Sequence, residues 1–165
     1  MPPPISTTQQ NTKFIRELQL AGAEFLVIGG AAAAIHGVRE TMFIPEIDLL
    51  VAPTVRNGRC IHHALDAVHI SPQFRPEDVA KPQKRIPVFH LGIEVDILTP
   101  VEGVEYSEII QRSEPAALDI LPVRVIGLDD LIDMKKLATV EGDCVEKHRA
   151  DLERLIEMKR SQNGK

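Results

Sequence analysis

FLVIGGAAAAIHGVRETMFIPEIDLLV, Phe25 to Val51, is the stretch whose reading decides the fold. From Glu24 to Ile28 there is no polar residue after the first position, the pattern of a strand buried on both faces. Gly29-Gly30 turns the chain into Ala31 to His36, where four consecutive alanines favour helix and permit close packing on a sheet. Gly37 ends that helix. Val38 to Pro45 is a loop carrying Arg39 and Thr41, and Glu46 to Val51 is a second strand. Glu46 and Asp48 stand two residues apart, so a strand directs both to one face. Carboxylates beside Ile47, Leu49 and Leu50 are costly to bury uncompensated, and a divalent cation is the natural compensation.

The glycine pair supplies a complementary feature. A strand, two glycines and a helix start present backbone N–H groups at a positive dipole end, and glycine lets a phosphate approach closely. Further along, Ile86 to Leu91 and Ile93 to Leu98 form a hairpin turning near Gly92, and its second strand carries Asp96 between Val95 and Ile97. If the strands of Asp48 and Asp96 are neighbours, three acids converge. Such a cluster suits one or two Mg²⁺ ions and phosphoryl-type transfer.

The rest of the chain frames these strands. Met1 to Gln10 is rich in Pro, Ser, Thr and Gln and reads as a disordered arm. Residues 11–160 read as one domain. Thr12 caps a helix from Lys13 to Leu20, with Phe14, Ile15 and Leu18 as its apolar stripe. Pro53 and Thr54 start another helix. Ser71 to Pro87, with its prolines and mixed charge, reads as an irregular crossing loop and a candidate lid. Tyr106 to Arg112 is a short helix. Leu118 to Leu121 and Val123 to Ile126 read as strands separated by Pro122. A helical tail follows from Leu128, in two segments, 128–139 and 145–159. The fold class is therefore α/β in the α+β sense: a small mixed β-sheet flanked by helices, with a C-terminal helical segment.

Composition narrows the function. Aromatic residues are 4% of the chain and tryptophan is absent, which argues against base stacking on aromatic platforms. A net charge of −5 disfavours sequence-independent nucleic-acid binding, although Lys81, Lys84 and Arg85 form a local basic patch. Cys60 and Cys144 lie far apart, so neither a disulfide framework nor a zinc site is indicated. No apolar run approaches the ~18 residues of a membrane span, and no secretory signal opens the chain, so a cytoplasmic location is expected.

Gly29-Gly30, His36-Gly37, Arg39-x-Thr41, Glu46-Ile47-Asp48 and Val95-Asp96, in that order, resemble the nucleotidyltransferase superfamily that includes DNA polymerase beta. The chain is most similar to small bacterial nucleotidyltransferase-like proteins, some from toxin–antitoxin or phage-defence pairs. Leu128 to Lys135 is similar to that group's lysine-bearing helix, and Lys147 to Leu155, with Asp151, to its closing segment. The resemblance spans about Glu24 to Leu155.

It implies an activity: Mg²⁺- or Mn²⁺-dependent transfer of a nucleoside monophosphate from an NTP to a hydroxyl on a small molecule, an RNA end or a protein side chain. Glu46, Asp48 and Asp96 would be the catalytic and metal-binding carboxylates, with Asp96 as base. Gly29, Gly30, Arg39, Thr41 and Lys135, with Lys136, would meet the nucleotide. Two departures stand out. Glu46 replaces the family's usual aspartate, and the loop from Thr41 to Glu46 is longer than usual. They motivate an alternative: a catalytically weakened nucleotide-binding module, or one that docks to a cognate protein partner of the toxin–antitoxin type.

Overall fold

In the computed structural model, which describes residues 2–39, 42–141 and 145–164, the first helix begins earlier than its sequence suggests. α1 (Gln9–Leu20) is capped by Thr8, whose side chain accepts from the Asn11 amide. The Thr12 hydroxyl, the expected cap, lies within bonding distance of Thr8 O and Asp119 Oδ2 instead. Phe14, Ile15 and Leu18 are buried as expected, each full burial being worth roughly 1.5–3 kcal/mol.

The expected disordered arm is corrected as well. Ile5 is buried, and its amide and carbonyl bond Ala117 O and Asp119 N, while Ser6 bonds Met42 O and the Ile44 amide. One apolar side chain amid polar neighbours is enough to anchor the segment.

β1 (Phe25–Ile28) passes directly into α2 (Gly29–Ile35), and β2 (Ile47–Val51) returns antiparallel to β1. α3 (Val55–Ala67) follows, capped by Thr54 through the Asn57 amide, and packs on α1. The long connection after it contains a 3₁₀ helix, Pro76–Ala80, docked on α3. Gly58 makes this contact possible: a Cβ there would stand 2.8 Å from Pro76 Cα. With Val79 buried beneath it, this segment is a fixed part of the fold, not the expected lid.

β3 (Arg85–Val88) and β4 (Val95–Leu98) form the expected hairpin, with Leu91 and Gly92 both left-handed in its turn. After α4 (Tyr106–Gln111) come β5 (Glu114–Leu118) and β6 (Leu121–Val125), then α5 (Leu128–Glu141) and α6 (Val145–Asn163). The expected strands 118–121 and 123–126 are thus shifted. Asp119, at φ 51, makes the turn, and Pro122 lies inside β6. Proline is tolerated there because β6 meets β1 only at Val125, so Pro122 has a strand neighbour on one side alone.

The six strands make one mixed sheet in the order β3-β4-β2-β1-β6-β5, and the fold is the mixed α/β class that the sequence indicates. By strand alternation, one face carries Ile47, Leu49, Val95 and Ile97, all buried. The other carries Asp48, Leu50, Asp96 and Leu98. Among the described residues, no helix is long and apolar enough to cross a membrane.

Candidate active site

β2 and β4 are parallel neighbours in a register that sets Asp48 directly beside Asp96. Partners in register share a face, so two carboxylates stand side by side at the middle of the sheet. Burial, then the charge of Asp96, pushes the Asp48 carboxyl up to about 6; Glu46 adds to this, while Lys135 and Arg85 oppose it. Asp96 is held at one oxygen only. Arg85 Nε donates to its Oδ2 at 2.7 Å, and its Oδ1 is buried without a hydrogen-bond partner.

The glycine pair sits against this couple. Asp48 pairs with Ile28, the last residue of β1, and the next residue, Gly29, has φ +65. A Cβ on Gly29 would lie 3.0 Å from Asp48 Cγ, inside contact range. Glycine therefore meets both a backbone and a packing requirement here. No side chain caps α2. Over the second glycine lies Arg39: a Cβ on Gly30 would come 2.8 Å from Arg39 Nη1.

Arg39 does not stand alone. Its Nη2 and Nε reach Asp151 of α6 at 2.6 and 3.3 Å, and Lys135 Nζ of α5 reaches the same carboxylate at 3.1 Å. Lys135 is 4% exposed and Asp151 5%. Burial works to raise the Asp151 pKa, but the Arg39 hydrogen bond and the Lys135 charge outweigh it and hold the carboxyl below its ordinary range. Burial lowers the Lys135 pKa against the pull of Asp151. Among the described residues, two cations share one carboxylate beside the glycine turn and Asp48, an arrangement that suits an anion such as phosphate.

The structure thus brings together Gly29, Gly30, Arg39, Asp48, Asp96 and Lys135. Glu46 lies just before β2, and its charge acts on Asp48 and Arg85. β2 begins at Ile47, so the period-two argument that aligned Glu46 with Asp48 does not extend to it, and its side chain is exposed. Among the described residues, no three His, Cys, Asp or Glu side chains are grouped to hold a metal ion. Asp48 and Asp96 by themselves fit a divalent cation: both are oxygen donors, one oxygen lacks a partner, and their mutual repulsion would be relieved by a positive charge. Thr41 lies outside the described residues, and Lys136 is exposed.

Arg85 is the contact that sequence reading passed over, having placed it in a basic patch with Lys81 and Lys84. Lys81 is bound to Asp78 at 2.8 Å and Arg85 to Asp96, so two of the three charges in that patch are engaged. The hairpin register, Pro87 opposite Asp96, is what brings Arg85 onto the acidic face.

No family model and no curated protein matches the chain. Among solved structures, it is similar to an antigenic nucleotidyltransferase-like protein from Paracoccidioides brasiliensis, with 13% sequence identity, coverage of 94% of this chain and 79% of that chain, and a TM-score of 0.48.

Proposed function

We propose that the chain transfers a nucleoside monophosphate from an NTP to a hydroxyl-bearing acceptor and releases pyrophosphate. One observation carries this reading: Asp48 and Asp96 in register on parallel strands, with Asp48 packed on Gly29 beside the Arg39–Asp151–Lys135 group. Carboxylates for a cation and cations for phosphate then meet across a glycine turn.

The acceptor oxygen forms a bond to the α-phosphorus as the bond from that phosphorus to the pyrophosphate oxygen breaks, and pyrophosphate leaves with the electron pair. The hydroxyl proton passes to Asp96. Arg39 and Lys135 meet the departing phosphates, and Gly29 and Gly30 let them approach. Mg²⁺ or Mn²⁺, held by Asp48 and Asp96, would neutralise charge developing on the phosphate oxygens.

Pyrophosphate release measured with Mg²⁺, each NTP in turn and a panel of alcohols tests the reading. Release by wild type that disappears in Asp48→Asn and Asp96→Asn is expected. Equal release by all three proteins, or none from wild type, sinks it.

A second reading is favoured by the Arg85–Asp96 ion pair and by the exposed position of Glu46. Here the chain binds nucleotide without transferring it, or keeps the shape of such a site while docking to a protein partner. Mg²⁺-dependent NTP binding without pyrophosphate release selects the nucleotide-binding form. Absence of both selects the docking form.

A further inference from the structure

A cavity of about 650 Å³ opens on the same sheet face as Asp48 and Asp96. Leu50 and Leu98, each two residues beyond one of these acids on its own strand, form the floor. Ile109 of α4 and Met134 and Leu137 of α5 line the walls, with Val104 beside them. Leu137 and Val104 are 48% and 40% exposed, so the cavity presents apolar surface to water at its mouth. The volume lies in the range of about 300–1,000 Å³ typical of small-molecule sites.

The order of the sheet decides what the cavity would hold. From one side to the other run the glycine turn at the end of β1, Asp48 on β2, Asp96 on β4 and Arg85 on β3. The phosphate-facing groups therefore lie on the β1 side of Asp48. Arg85, which touches Asp96, also lines the cavity, so the cavity begins on the β3–β4 side. In-line displacement needs the nucleophile opposite the leaving pyrophosphate. The cavity is on that opposite side.

Its charges select further. Arg85 is bound to Asp96, and Arg112 is bound to Asp130 by two hydrogen bonds of 2.9 Å. Among the described residues, the lining acids Glu105, Glu108 and Asp133 have no ion-pair partner, against Lys84 as the remaining lining cation. The unpaired balance is acidic. Resting on the transfer reading above, we propose that this cavity is the acceptor site, and that it takes a small molecule with an apolar body, a hydroxyl directed toward Asp96 and a cationic amine at the acidic rim.

The test uses three molecules with the same eight-carbon body: 8-amino-1-octanol, 1-octanol and 8-hydroxyoctanoate. Binding to the full chain is measured by calorimetry and by ligand-observed NMR, in parallel with Mg²⁺–NTP titrations. The expected order is amine tightest and carboxylate weakest, about fivefold or more apart, as charge complementarity with the rim requires. Leu137→Arg should abolish amine binding while leaving NTP binding unchanged. Glu108→Gln with Asp133→Asn should reduce the preference for the amine to near that for the neutral alcohol. These positions are exposed, so the variants should fold.

If NTP binds and none of the three molecules does, or all three bind alike, the acceptor assignment falls and the transfer reading stands. If NTP and 8-amino-1-octanol compete, the cavity holds the nucleoside and the assignment is wrong. If no NTP binds wild type, the transfer reading falls and takes the acceptor role with it.

Discussion

Arg85 Nε lies 2.7 Å from Asp96 Oδ2, so the candidate catalytic base is tied to a guanidinium on the neighbouring edge strand. Arg85 is 60% exposed, which keeps the pair's worth near that of other surface ion pairs, about 0.2–1 kcal/mol. A cation bound by Asp96 competes with it. Arg85→Gln should therefore tighten Mg²⁺ binding by about two- to fivefold, measured by calorimetry at low salt. Weaker Mg²⁺ binding in the variant would show that Arg85 helps to build the site and does not compete for it.

Asp48 makes stability depend on pH in a stated direction. Its folded pKa, about 6, exceeds the ordinary value of 3.8. The native state therefore holds the proton more tightly than the unfolded chain. This contribution is fully present below about pH 4 and is lost as pH rises through 6. Asp48→Asn imitates the protonated carboxyl permanently. It should match wild type in urea unfolding at pH 4 and exceed it by about 2–3 kcal/mol at pH 8 without metal. Equal stability at pH 8 contradicts the assigned burial and repulsion.

Gly29→Ala meets two obstacles, the positive φ and the Asp48 carboxylate. The backbone alone costs about 1–2 kcal/mol. A double-mutant cycle with Asp48→Ala separates the two, since it should restore the part due to the carboxylate and leave the backbone part and the 3.1 Å approach to the residue-48 Cβ. A cycle with no coupling would mean that Asp48 does not lie on Gly29.

Asp151 neutralises two cations at the α5–α6 contact. Asp151→Ala removes the carboxylate that Lys135 and Arg39 share, for which about 3–5 kcal/mol is expected in urea unfolding. Lys135→Met in the same background should recover part of that loss. A loss below about 1 kcal/mol would mark the group as solvated, like an ordinary surface pair.

Much of this was legible because it depends on local pattern. Short apolar runs marked β1, β2 and β4, and two glycines before four alanines marked the strand-to-helix turn. Asp48 and Asp96 needed only the further condition that their strands be neighbours. What escaped depends on register and distance. A hairpin centred on Gly92 alone would set Val88 opposite Asp96. The actual turn uses both Leu91 and Gly92 in left-handed conformation, which sets Pro87 there. That one-residue difference moves Arg85 to the acidic face. Glu46 lies one residue before β2 begins, so strand alternation alone does not align it with Asp48. Ile5 gave no periodic signal, and its anchorage to β5 comes from a segment more than a hundred residues away.

The most direct test of the account is Mg²⁺-dependent NTP binding by wild type and Asp48→Asn, titrated calorimetrically at pH 8. The variant should be at least as stable as wild type at this pH, so a difference reports on the site itself. Wild type should bind at least one NTP in the presence of Mg²⁺, and Asp48→Asn should bind it about tenfold or more weakly, the loss of one charged contact to the ion being worth at least ~1.4 kcal/mol. Equal affinity in the two proteins, or no binding of any NTP to wild type, would contradict the claim that Asp48 and Asp96 form a nucleotide–metal site.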